Sequence, residues 1–232
     1  MNIRIVLIVF EAVVLIFAFS MHEAAHAWAA SRLGDQTARM LGRVTLNPLK
    51  HLDPIGSLVI PALALLYHWP LIGWAKPTPV NGRNLRHYKR DDILVTLAGP
   101  ASNLLAATIA LLLLLVIKHT SAMGGISVVT AIQLGLGQTG VPTDGLPQLF
   151  PLALLLYFVI LINLSLFVFN LLPVPPLDGS RVVRHFLPYS MVQWYDRAGV
   201  FGMLILLLAG GQMIGYVLFP ALNAFNSVLL SM

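Results

Sequence analysis

The chain has 232 residues and a net charge of +5; 58% of its residues are hydrophobic and only 10% are charged. Soluble domains carry about 25% charged residues, so the composition is that of a membrane protein, and the basic residues are too dispersed for a nucleic-acid-binding stripe. There is no cysteine, which excludes disulfides, thiolate metal sites and a cysteine nucleophile and leaves His, Asp and Glu to hold any metal.

The first apolar run, Ile3–Ala30, is too long for a signal peptide and has no convincing cleavage site, so it is expected to be a retained spanning helix. It closes on FSMHEAAHAW. His22 and His26 stand four residues apart, which on a helix projects both imidazoles from one face about one turn apart, as capture of a single ion requires. Glu23 falls between them. In a zinc hydrolase a carboxylate so placed does not ligate but takes the proton from water activated by the ion. Polar groups at the end of a membrane helix are costly and mark a functional site by default.

After this helix, ARMLGRVTLNP reads as short β-like runs with Gly42 as a turn residue. Ile55–Ile72 is apolar but short, carries Pro61 and Pro70 and is flanked by Gly56 and Gly73, so it either spans or re-enters. GWAKPTPVNGRN is too rich in Pro and Gly for helix. Non-helical backbone at membrane depth is tolerated only where it lines a cavity or is covered by protein, so both irregular stretches are expected to wall a site. Ile93–Ile117, Phe150–Leu172 and Gly199–Phe219 are the remaining expected spans. The fold expected is an all-α polytopic membrane protein with about four transmembrane helices, a re-entrant or fifth hydrophobic segment, and short membrane-associated β-strands.

Twelve of the fourteen Lys and Arg residues fall in Ser31–Pro54, Gly73–Asp92 and Pro173–Ala198, and none in His119–Leu149. If Ile55–Ile72 turns back, all three basic loops share one side, which the positive-inside rule makes the cytoplasm. The HEAAH helix then finishes near the cytoplasmic face.

A catalytic zinc needs a third protein ligand and one open position. Glu11 lies eleven residues before His22 on the same helix, about 16 Å away at roughly 1.5 Å per residue, and cannot reach. Asp178, in FNLLPVPPLDGSR, follows the Phe150 span at the same membrane side; Pro173, Pro175 and Pro176 stop that helix and stiffen a return path, and Gly179 allows a tight turn. Asp53, in HLDPIGS, is the second candidate, although Asp before Pro commonly initiates a turn. Asn103 and Asn170 are candidates for hydrogen bonding to a substrate backbone or a developing oxyanion, against an interhelical hydrogen bond as the alternative. His51, His68, His87, His119 and His185 lack ligand spacing and read as interface or loop residues.

HEAAH, GRVTLNPLKHLDPIGS, GWAKPTPVN, AGPASN and NLLPVPPLDGSR, in this order over most of residues 20 to 185, resemble the site-2 protease family of intramembrane zinc metalloproteases. The resemblance implies His22, His26 and Asp178 as ligands of Zn2+, Glu23 as general base, substrate binding by Asn170, and a three-helix catalytic core with its zinc inside the membrane near the cytoplasmic face. No loop is long enough for the PDZ or CBS modules of larger members, so a single membrane-embedded domain is expected, with a catalytic core over about 3–185 and an accessory helix at 199–219. The expected function is endopeptidase cleavage of transmembrane segments in other membrane proteins, in the lipid bilayer of a prokaryotic cytoplasmic membrane, with access controlled by the helices, by Ile55–Ile72 or by a partner; a membrane partner or a homo-oligomer is the expected assembly. The rival is a non-proteolytic zinc-binding or scaffold protein.

Overall fold

Ile3–Leu33 contains neither Gly nor Pro, so nothing interrupts its backbone hydrogen bonding over 31 residues. In the computed structural model it is one helix, α1, about 46 Å long at roughly 1.5 Å per residue. The structure describes residues 3–60, 63 and 74–231, the side chains of 57, 58, 200 and 203–214 excepted. Gly34 ends α1 with φ 121°, in the region that side-chain-bearing residues avoid, and the Asp35 N–H returns to the Ala30 carbonyl at 2.9 Å, which satisfies one of the carbonyls orphaned at a helix end.

The stretch expected to hold β-strands is built otherwise. It begins in a one-turn helix α2 (Thr37–Met40), runs without strand over 41–47 and ends in a 3-10 turn at Pro48–Lys50; a π-helical turn at Pro54–Val59 follows. Among the described residues there is no strand, only an isolated antiparallel bridge between Leu52 and Ala75. Capping chemistry overrides β-propensity here. Asn47 accepts the Leu49 N–H at 3.1 Å, and Asp53 accepts those of Ile55 and Gly56 at 3.0 and 2.8 Å, so Pro48 and Pro54 each open a helical turn. Most of Ile55–Ile72, with the question of whether it spans or re-enters, lies outside the described residues, as does His68.

α3 (Tyr88–Thr120) and α5 (Phe150–Asn170) join α1 as helices long and apolar enough to cross a membrane. The fourth expected span falls within α7 (Tyr189–Ser231). A further helix, α4 (Gly124–Gly135), occupies what the sequence suggests is a loop. Its two leading glycines and β-branched residues have poor helix propensity, and burial of Val128, Ala131, Ile132 and Leu134 overrides it.

The chain divides into two compact units. One contains Met1–Val14, Asn103–Phe169 and Leu204–Met232. Its interior is Ala107, Ala110 and Leu114 of α3 with Ala153, Leu154, Tyr157 and Ile160 of α5. Two of its described polar groups are paired across helices: Tyr157 donates to Asn226 at 3.2 Å and Lys118 to the Leu229 carbonyl at 2.7 Å. Ile5, Val9, Leu105, Ile109 and Leu112 are exposed, as lipid-facing residues are, because hydrocarbon does not penalise them.

The other unit contains Leu15–Ser102 and Asn170–Met203. Ala29, Ala30, Leu85 and Val95 form a small core, with Leu33, Val80 and Ala98 packed against it. The fully buried Asp35 ties this unit together. Its carboxylate accepts from Thr37 N at 3.1 Å, Thr37 Oγ1 at 2.5 Å, Asn81 N at 2.7 Å and Asn84 Nδ2 at 3.0 Å. The end of α1 is thereby fastened to the chain at 81–84.

Candidate metal centre

The HEAAH sequence lies in the uninterrupted part of α1, so its four-residue spacing becomes one helical turn. The His22 and His26 ring centroids are 4.6 Å apart and their Nε2 atoms 3.1 Å apart, and both residues are buried. The third group arrives from the chain after α5. That helix stops before Pro173, and the segment to Leu177 leads into α6 (Asp178–Arg184), whose first residue is Asp178. Asp178 Oδ2 lies 3.1 Å from His22 Nε2 and 3.3 Å from His26 Nε2.

These three residues fit a metal ion. One ligand atom from each lies within 4.8 Å of the others. Asp178 Oδ2 is buried without a well-aligned hydrogen bond although two imidazole nitrogens stand beside it, a convergence of donor atoms that a cation would satisfy. His26 Nδ1 lies 2.8 Å from the Val95 carbonyl. That oxygen can only accept, so Nδ1 carries the hydrogen and Nε2 presents its lone pair to the centre, the arrangement of most metal-bound histidines. Burial pushes the Asp178 carboxyl up, but without a metal the hydrogen bonds and positive charge of proton-bearing His22 and His26 outweigh it and hold the group below the usual carboxylate range. A cation would replace those protons and face the same ionised carboxylate.

Two glycines make room for this convergence. A Cβ on Gly99 of α3 would land on His26 Nε2 and within 2.7 Å of His22 Cε1. A Cβ on Gly179 would meet the Leu171 carbonyl and come within 2.6 Å of the Leu172 carbonyl oxygen. Gly179 thus serves close approach of α6 to the end of the preceding segment, rather than the tight turn suggested by sequence.

Glu23 is half-buried beside the pair. Its Oε2 accepts the Thr78 N–H at 2.7 Å, and the Thr78 hydroxyl donates to the Glu23 carbonyl at 2.9 Å. Thr78 belongs to the GWAKPTPVN stretch and is not singled out by spacing. Its signal lies in the flanking prolines: Pro77 and Pro79 favour extended backbone and lack N–H groups, so Thr78 supplies the one donor between them. The stretch is held by Trp74 N to the Gly56 carbonyl at 3.2 Å, Lys76 N to the His51 carbonyl at 2.8 Å and Asn81 N to Asp35.

The other candidates fall elsewhere. Asp53 caps the Pro54 turn. Asn103 is fully buried and its amide donates to Asn163 Oδ1 at 2.8 Å, while Asn163 donates to the Val159 carbonyl at 2.9 Å. Asn170 is the half-buried last residue of α5. Two of the histidines that spacing passes over are not surface groups: His51 is buried with Nε2 2.8 Å from the Thr45 carbonyl, and His185 pairs with Asp92.

Apolar spanning-length helices with a buried His–His–Asp group beside a glutamate define the class, a membrane protein with a candidate metal centre. Residues 10–209 match the sequence profile of Peptidase family M50, and the chain belongs to this family, that of the site-2 proteases. It is 38% identical over 221 residues to "Putative zinc metalloprotease YwhC" of Bacillus subtilis, covering 95% of this chain and 89% of that one. It is 28% identical over 211 residues to "Putative zinc metalloprotease Rip2" of Mycolicibacterium smegmatis, covering 90% of this chain and 66% of that one. No solved structure matches.

Proposed function

We propose that this protein is a zinc-dependent intramembrane endopeptidase that hydrolyses peptide bonds within or beside the transmembrane segments of other membrane proteins. The observation that carries the reading is the meeting of His22, His26 and Asp178 within 4.8 Å, with Glu23 interleaved in the same helical turn. Family membership and the names of both bacterial relatives support it.

His22, His26 and Asp178 would hold the ion, two neutral donors and one anionic, leaving a position open for chemistry. Zinc there would act as a Lewis acid on the scissile carbonyl and acidify a water molecule. Glu23 takes the proton from that water and returns it to the leaving amine, the two halves of general base and general acid catalysis. The Thr78 N–H engages one carboxylate oxygen of Glu23, which restricts the side chain's rotation and directs the other oxygen to the proton. Asn170, at the end of α5, hydrogen-bonds the substrate backbone or the developing oxyanion. For Asn103 the bond to Asn163 favours the interhelical role. The substrate helix has to unwind locally, because its own hydrogen bonds shield the scissile carbonyl. With Ile55–Ile72 turning back, the three basic loops support a position of the centre near the cytoplasmic face of a multi-pass protein, and the two bacterial relatives support a prokaryotic membrane.

The test compares protein termini in membranes from cells expressing wild type or Glu23→Gln. New termini inside transmembrane segments, present only with wild type, are expected. Identical termini from two proteins that both bind zinc would replace the protease reading with that of a metal-binding scaffold.

A further inference from the structure

Asp92 lies on α3, in the same unit as the metal centre but outside it, and is 8% exposed. Its two oxygens are both engaged, Oδ1 by Arg181 Nη2 at 2.9 Å and Oδ2 by His185 Nε2 at 2.7 Å. Both partners belong to α6 or its C-cap, and α6 begins with Asp178. The same face of α3 supports the grip: the Tyr88 ring meets His185 edge-on at 5.4 Å, and the Lys89 ammonium sits 4.4 Å from the centre of the Phe186 ring.

The spacing along α3 gives this clamp a meaning beyond stability. Asp92, Val95 and Gly99 are separated by three and four residues and so share one helical face. Val95 orients His26 through its carbonyl, Gly99 accommodates both imidazoles, and Asp92 holds α6 by two bonds of fixed direction. A seven-residue helix has little stability of its own, so where its first residue points depends on what holds its far end. Arginine and histidine both present planar, directional donors, and a carboxylate bonded to both resists rotation as well as translation of the element it grips.

We propose that Asp92 is a positioning residue for the metal centre: through Arg181 and His185 it fixes α6 on α3 and thereby sets the place of Asp178 opposite His22 and His26. The inference rests on the zinc reading of that centre. Its consequence is that Asp92 acts on metal affinity only by way of Asp178.

The experiment measures zinc affinity of the full-length protein in detergent by competition with a chromogenic chelator, for wild type, Asp92→Asn, Asp178→Ala and the double variant, with thermal melting of each. Asp92→Asn keeps the side chain's size and removes the charge that both partners face. The expected result is a loss of about tenfold in zinc affinity for Asp92→Asn, the scale typical of residues that orient a ligand, and no further loss when it is added to Asp178→Ala. Asp92→Glu, which keeps the charge, should recover part of the affinity. If Asp92→Asn weakens zinc equally with and without Asp178, the effect is general unfolding and the proposal is overturned; it is also overturned if Asp92→Asn binds zinc as wild type does. Failure of the underlying reading is separately visible, as wild type and Asp178→Ala would then bind zinc alike.

Discussion

Gly99→Ala sets two physical effects against each other. Within a helix, alanine is preferred over glycine by about 0.5–1 kcal/mol, so on local grounds the substitution should stabilise α3. The site predicts otherwise. The new Cβ would land on His26 Nε2 and stand 2.7 Å from His22 Cε1, whereas carbon–carbon contacts settle at about 3.5–4.0 Å, so the His22 ring must retreat by about 1 Å. His26 cannot swing aside without breaking its 2.8 Å bond to the Val95 carbonyl. A displacement of about 1 Å in a catalytic constellation costs on the order of a hundredfold, or about 2.7 kcal/mol of transition-state stabilisation. The expected outcome is kcat/KM on a fluorogenic transmembrane peptide reduced about a hundredfold and zinc affinity reduced about tenfold, with the melting temperature lowered, since overpacking costs about 1–3 kcal/mol and exceeds the helical gain. Wild-type zinc affinity together with turnover within about twofold of wild type, a change worth under 0.5 kcal/mol, would refute the reasoning.

Glu23→Gln should bind zinc as wild type does while turnover falls at least about a hundredfold, since it removes the proton acceptor and no ligand; equilibrium dialysis and peptide cleavage separate the two. Thr78→Pro removes the N–H that Glu23 Oε2 accepts and should lower kcat by about tenfold, on the scale of one hydrogen bond to a charged group, with zinc content retained, whereas Thr78→Val keeps that N–H and should cost less. Chelation of zinc should abolish cleavage and added zinc restore it, measured on one preparation. Asp35→Asn should destabilise the protein by about 2 kcal/mol or more, because it sets an amide NH2 against the Asn81 N–H that Oδ2 accepts and takes the charge from the three bonds to Oδ1. Burial pushes the Asp35 carboxyl up, but the donors from Thr37, Asn84 and Asn81 outweigh it and hold it below the usual carboxylate range. A depressed folded value means that this contribution is complete above the unfolded value, near 4, and is lost as pH falls through the folded one. Wild-type melting temperatures should therefore fall below about pH 4 more steeply than those of Asp35→Asn.

What was legible in the sequence had a period or a punctuation mark. HEAAH places two histidines on one helical face whatever the rest of the chain does, and the prolines after Asn170 announce that the helix ends and the chain returns. Both expectations survive into the structure, where Asp178 stands against His22 and His26. The short β-runs expected in ARMLGRVTLNP did not, because its first residues belong to α2 and Asn47 at its end caps a 3-10 turn opened by Pro48. α4 was missed because its glycines and β-branched residues advertise a loop, and only buried neighbours make it a helix. Thr78 and Asp92 were illegible for another reason: each matters through one partner far along the chain, Glu23 at a separation of 55 residues and Arg181 at 89, and no local pattern encodes such a pairing.

By itself, the sequence indicated that the protein belongs in a membrane, that four of its segments have spanning length, of which α1, α3 and α5 stand as such helices among the described residues, and which side chains have the chemistry proposed to bind zinc and move a proton. These follow from composition and helical periodicity, which act over a few residues. The tertiary structure brings Asp178 against the pair of histidines, and it alone decided which carbonyl orients His26 and which backbone amide bonds Glu23. Those choices depend on α3 and α6 coming together around α1, where a missing Cβ at Gly99 and a paired carboxylate at Asp92 determine how closely the helices approach.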